Sequence, residues 1–138
     1  TVTPILLSHP NQGIGYKLTE DGKTFVFLTD NELAFVHPGG LTYEDYRRFS
    51  AGADLLLHDA EYTQAEYKHK KTWGHSVYTD ALRLAMEAEV GRFGLLHHNQ
   101  ERTDEGVEAI VTDCQRILAE EGASLDCFAV HEGMEIEL

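Results

Sequence analysis

The 138 residues are enough chain for one domain with its own core, and 42% hydrophobic with 25% charged residues is globular usage, which excludes a disordered or collagen-like chain. Eleven Lys and Arg against 24 Asp and Glu give a net charge of −13, a field that repels phosphates and anionic lipid unless metal ions or a basic patch intervene. No apolar run approaches the roughly 20 residues that span a bilayer, and Thr1 to Leu7 lacks the basic start of a signal peptide.

In chain order, Pro4 to Leu7 reads as a short apolar strand ending at Ser8-His9. Ile14 to Leu18 and Thr24 to Thr29 read as a β-hairpin around Asp21-Gly22. Thr42-Tyr43-Glu44-Asp45 has the form of a capping box and opens a helix to about Ser50. Asp54 to His58 carries an unbroken apolar run, the mark of a strand buried on both faces. Tyr62 to Lys71 is the one basic cluster; it reads as a solvated loop, with contact to a phosphate-bearing substrate as the sharper alternative. Ser76 to Val90 is a helix with Ala81, Leu84, Ala85 and Ala88 on one stripe. Phe93 to His97 is a second buried strand, and Thr103 begins a long helix to Glu121 that Gly122 stops. Asp126 to Val130 and Met134 to Leu138 read as closing strands. Strands alternating with helices give an α/β fold, which collects functional residues at strand ends. Cys114 and Cys127 are expected to be reduced, in a cytoplasmic chain.

His9, Asp30, His58-Asp59 and His97-His98 each stand at or just past the end of a predicted strand. Any one of them alone is explained by strand capping or a turn. Four strand ends alike point to a site built on one edge of the sheet. Neutral imidazoles with a hard carboxylate suit zinc, iron(II) or manganese better than calcium or magnesium, and a carboxylate among imidazoles can bridge two divalent ions. Their separations along the chain fit no compact local motif.

Longer motifs carry a resemblance. His9-Pro10-Asn11-Gln12-Gly13-Ile14-Gly15-Tyr16, Leu28-Thr29-Asp30-Asn31-Glu32, Asp54-Leu55-Leu56-Leu57-His58-Asp59-Ala60, Trp73-Gly74-His75-Ser76 and Leu95-Leu96-His97-His98 follow one another in this chain. In that order they resemble the metallo-β-lactamase superfamily, nearest its ribonuclease Z and phosphodiesterase-like branch, from His9 to about Asp104. The resemblance implies two divalent metal ions, zinc foremost, with manganese or iron as alternatives. It implies His9 as a ligand of one ion, Asp30 as the bridging carboxylate, and His97, in preference to His98, as a ligand of the second. It also implies Asp59 and His75 as a proton-handling pair, His75 serving an oxyanion or leaving group and Asp59 fixing its tautomer. A helix beginning directly after His75 would bring its positive end near an anionic substrate. Trp73 and Tyr62 are candidates for lining the pocket, with plain packing as the alternative. His37, His69 and His131 match no motif and read as surface or loop residues.

The superfamily's His-x-His-x-Asp-His motif, which supplies ligands to both ions, is not in these residues. The resemblance therefore implies half of an αββα sandwich, one mixed β-sheet with covering helices. Residues 1–138 would be its C-terminal half, with one apolar sheet face uncovered. Three origins follow: the C-terminal half of a longer hydrolase, a half-domain that pairs with a second chain, or a non-catalytic interaction module. The implied activity of the parent is metal-dependent hydrolysis of a small phosphodiester, with a carboxyl ester, lactone or thioester as the alternative substrate. The charge of −13 and the lack of an RNA-clamping arm weigh against nucleic acid, and no membrane partner is expected.

Overall fold

A computed structural model describes residues 1–138. The chain forms β1 (Val2–Leu6), β2 (Ile14–Glu20), β3 (Lys23–Leu28), α1 (Tyr43–Ser50), β4 (Leu55–Asp59), α2 (Gln64–Tyr67), α3 (Tyr78–Glu87), β5 (Arg92–Leu96), α4 (Asp104–Glu121) and β6 (Asp126–Ala129). The strands lie side by side in the order β1-β2-β3-β4-β5-β6. The first two pairings are antiparallel and the remaining three parallel, so the sheet is mixed.

Local chemistry explains most boundaries. Asp21 and Gly22 have φ of 49° and 78°, the mirror-image turn whose twist suits a two-residue hairpin loop. Thr42 and Asp45 close a capping box on α1, and Gly122 ends α4 in the left-handed conformation with φ of 65°. Parallel neighbours need crossovers, and crossovers of one hand between successive strands put α1, α3 and α4 on a single face. There α3 packs against both α1 and α4. The core lies between this layer and the sheet, built from Val26, Leu28, Leu56, Phe93 and Leu95 of the strands with Tyr46, Leu82, Leu84, Ile110 and Leu118 of the helices.

The opposite sheet face is open over β1 and β2. Val2, Leu6, Ile14, Tyr16 and Leu18 are 39–61% exposed there. Cross-strand pairing puts Leu6 beside Ile14 and Tyr16 beside Phe27, so they form one apolar row.

Three expected elements differ. Residues 62–71 are not a plain loop, because Thr63 and Glu66 form a reciprocal capping box that starts α2. The helix after His75 begins only at Tyr78. Val77 pairs with Tyr62 in an isolated bridge, and the Ser76 hydroxyl donates to the Asn31 carbonyl, so both are held extended. No helix N-terminus therefore stands directly behind His75. Met134–Leu138 forms no strand: Gly133 turns the chain with φ of 77°, and the Glu137 carbonyl accepts from the Arg92 side chain instead of from a ladder.

Candidate metal centre

β1, β3, β4 and β5 run in the same direction, so the segments after their C-terminal ends meet at one edge of the sheet. His9 follows β1, Asp30 follows β3, Asp59 ends β4 and His97 follows β5, while His75 arrives from the segment before α3. A buried polar network ties these segments together. Ser8 N–H donates to Asn31 Oδ1 at 2.9 Å, and Asn31 Nδ2 lies 3.1 Å from His58 Nε2. His58 Nδ1 donates to the Asp59 carbonyl at 2.7 Å, so the carbonyl fixes the tautomer and Nε2 accepts from Asn31. Ser76 Oγ accepts from Leu33 N–H at 3.0 Å and closes the network.

Asp30 stands between two imidazoles. One of its oxygens lies 3.9 Å from His9 Nε2 and the other 3.6 Å from His97 Nε2. His75 Nδ1 donates to Asp59 Oδ2 at 2.6 Å, and Asp59 Oδ1 accepts Ser76 N–H at 3.0 Å. His75 stacks on His97 with ring centroids 4.2 Å apart and meets His9 edge-on at 5.5 Å. Donor atoms of His9, Asp30 and His75 lie within 4.8 Å of one another, as do those of Asp59, His75 and His97. All five expected site residues thus come together. His98 turns away and donates from Nε2 to the Val130 carbonyl at 3.1 Å.

The backbone is unusual at this place. Asp30 and His97 have φ of 60° and 57°, left-handed conformations that cost on the order of 1–2 kcal/mol for ordinary residues and gather at functional sites. Gly74 has φ of 101°, and a Cβ there would come within 2.3 Å of His9 Cδ2. Only glycine lets the backbone before His75 pack this closely against the His9 ring.

The charges are arranged unevenly. Glu61 most of all, against the opposing effect of burial, pushes His97 up to about 9, with Asp59 and Asp30 adding to the shift. For His75, burial opposes the charged ring, but the Asp59 hydrogen bond and charge outweigh it and the pKa is raised. His9 is lowered, by burial first and by the neighbouring His75 and His37, against the pull of Asp30.

No protein-family model matches the chain. It is 34% identical over 73 residues to a ribonuclease Z of Exiguobacterium sp., covering 51% of this chain and 24% of that protein. It is 37% identical over 76 residues to a ribonuclease Z of Haloferax volcanii, covering 55% and 21%. Among solved structures, the metallo-β-lactamase fold protein YhfI from Bacillus subtilis aligns with a TM-score of 0.75 at 19% identity, over 97% of this chain and 48% of YhfI. The short form of human tRNase Z aligns with a TM-score of 0.68 at 20% identity, over 99% and 42%. The chain has the fold of part of a metallo-β-lactamase fold protein, and about half of it is similar in sequence to a segment of ribonuclease Z. The sequence matches span about a quarter of the relatives' length, and the structural ones less than half.

The expectation that nucleic acid is no partner finds no support in these likenesses, because the matched relatives are ribonucleases. Net charge reports the field of the whole surface, and it does not describe one neutralised cleft.

The site also contains residues that the sequence motifs do not mark. Glu61 was legible in principle, since it stands two residues after Asp59, on the same side of an extended segment. Its Oε2 lies 3.0 Å from His97 Nδ1 and 3.6 Å from His75 Nδ1, and it is the group that most raises the His97 pKa. The other ring nitrogen of His97, Nε2, faces Asp30, and that pairing of imidazole and carboxylate fits a cation. Imidazoles with carboxylates are also the donor set for borderline divalent ions. His37 is not the surface residue expected. It is buried, with Nε2 donating to Glu32 Oε2 at 2.6 Å.

Proposed function

We propose that this chain is the C-terminal half of a metal-dependent phosphodiesterase that cleaves RNA or a related nucleotide phosphodiester. The observation that carries the reading is Asp30, one carboxylate oxygen toward His9 and the other toward His97, with the His75–Asp59 pair alongside. His9, Asp30 and His97 would hold two divalent ions, zinc foremost, with Asp30 between them. The ions supply positive charge that activates water and offsets charge on the phosphoryl oxygens. Three residues are too few for two ions, so the remaining ligands would come from an N-terminal half or from a second chain seated on the open sheet face.

The chain's own residues handle the proton. Asp59 is buried, accepts the Ser76 amide, and receives Nδ1–H of His75. That leaves His75 Nε2 free to face the leaving group. The Asp59 hydrogen bond and charge favour the protonated ring, and Nε2–H is the proton that would pass to the departing oxygen as the P–O bond breaks.

The isolated chain is expected to bind less than two equivalents of zinc, weakly, and to turn over bis-p-nitrophenyl phosphate negligibly. Supplying the complementary half should restore hydrolysis. In that complete domain, Asp30→Asn should lose metal, whereas His75→Ala should keep metal and lose about 10²–10⁴ in kcat. Two tight equivalents with turnover in the isolated chain would overturn the half-site reading. A complete domain that cleaves p-nitrophenyl esters or thioesters but no phosphodiester would overturn the substrate class.

A further inference from the structure

Trp73 is the chain's single tryptophan, and it is 56% exposed beside His75. It lines a cleft of about 380 Å³ together with His75, His97, Glu61 and Glu101. Solitary exposed aromatics are common, but this one stands on a built support. Glu32 is 1% exposed and grips the backbone on both sides of Trp73: Thr72 N–H donates to Oε1 at 2.7 Å and Gly74 N–H to Oε2 at 2.9 Å. The same carboxylate accepts the Tyr67 hydroxyl and His37 Nε2, each at 2.6 Å. Thr72 and Gly74, with φ of 69° and 101°, flank the indole in left-handed backbone. A buried, four-fold-satisfied carboxylate thus holds rigid a loop whose central side chain remains in water. Holding an exposed indole does little for stability, but it removes the ordering cost of a later contact.

Lys70 completes the arrangement. Its ammonium lies 3.7 Å from the indole centroid and is the one Lys or Arg side chain lining this cleft. One ring face is therefore capped by a cation, and the exposure of the indole leaves the other open. In a chain with a net charge of −13, that cation is where a phosphate can approach the acidic cleft.

The geometry points to a nucleotide subsite: the open face of Trp73 stacks on a base flanking the scissile phosphate, and Lys70 takes an adjacent phosphate of the same strand. Stacking on an indole is tolerant of base identity, so the subsite would select nucleotides over simple phosphodiesters without reading sequence. The inference deepens the phosphodiesterase reading and rests on it for the scissile bond.

Because Trp73 is the only tryptophan, its fluorescence reports the subsite without metal or turnover. Adenosine monophosphate and a short oligoribonucleotide should quench it saturably, and ribose 5-phosphate should not. By calorimetry, Trp73→Ala should weaken oligoribonucleotide binding roughly tenfold or more and Trp73→Phe far less, while Lys70→Met should weaken binding with the quench retained. Absence of a saturable quench, equal quenching by ribose 5-phosphate, or unchanged affinity in Trp73→Ala would overturn the subsite. The two readings fail separately. Saturable quenching in a protein whose complete, metal-loaded domain cleaves no phosphodiester would sink the catalytic reading alone. RNA cleavage with KM unchanged by Trp73→Ala would sink the subsite alone.

Discussion

His58 shows how an ionisable residue serves a site without meeting substrate. It is fully buried, and burial holds its pKa below the ordinary 6.5 despite the Asp59 carbonyl and carboxylate. Between the folded value and 6.5 the unfolded chain binds more protons than the folded one. Stability therefore rises with pH across that window and is lost as pH falls through it. Thermal melts at successively lower pH should show this decline. His58→Asn, which can still donate to the Asp59 carbonyl, should flatten it; an unchanged slope would show that His58 does not titrate in unfolding. At this scale the sequence was legible wherever a polar residue follows an apolar run, as at His9, Asp30, Asp59 and His97. Glu32 and His37 were not, because the meaning of each lies in a partner that the chain direction hides: Glu32 binds residues up to 42 positions away.

The elements were read best where a local signal is sufficient. The Asp21-Gly22 hairpin, the Thr42 cap and the Gly122 stop all arise from contacts within a few residues. The delayed start of α3 and the missing last strand were decided by distant partners, Tyr62 and Asn31 in one case and Arg92 in the other. Gly94 in β5 shows the same dependence on packing between strands. A Cβ there would lie 2.3 Å from Leu57 Cδ2 of β4 and 2.9 Å from Val130 Cγ2. Gly94→Ala is expected to destabilise the chain by about 1–3 kcal/mol through overpacking, read as a lower denaturant midpoint with an unchanged slope. A midpoint equal to that of the parent chain would show that β4 and β5 yield more easily than the spacing implies.

Across the whole molecule, one sheet face is covered by helices and the other is open over β1 and β2, a patch of the kind that marks an interface. Leu6 and Ile14 are direct cross-strand partners in that patch. The double variant Leu6→Lys/Ile14→Glu should reduce self-association of the isolated chain in sedimentation while leaving its melting temperature nearly unchanged, since neither side chain reaches the helix-side core. It should also block rescue of activity by the complementary half. Rescue at undiminished yield would mean that the open face is not where the other half docks.

The order of most strands and helices and the caps of α1 and α4 follow from local periodicity and short motifs in the linear chain, and the five residues of the candidate site follow from its resemblance to a superfamily. The tertiary structure alone decided that Asp30 faces His9 with one oxygen and His97 with the other, that His75 rests on Asp59, and that Glu32 holds the loop bearing Trp73. The reason is geometric. Parallel strands bring residues far apart in sequence to one sheet edge, and only the folded chain sets which of their atoms lie close enough to share a proton or an ion.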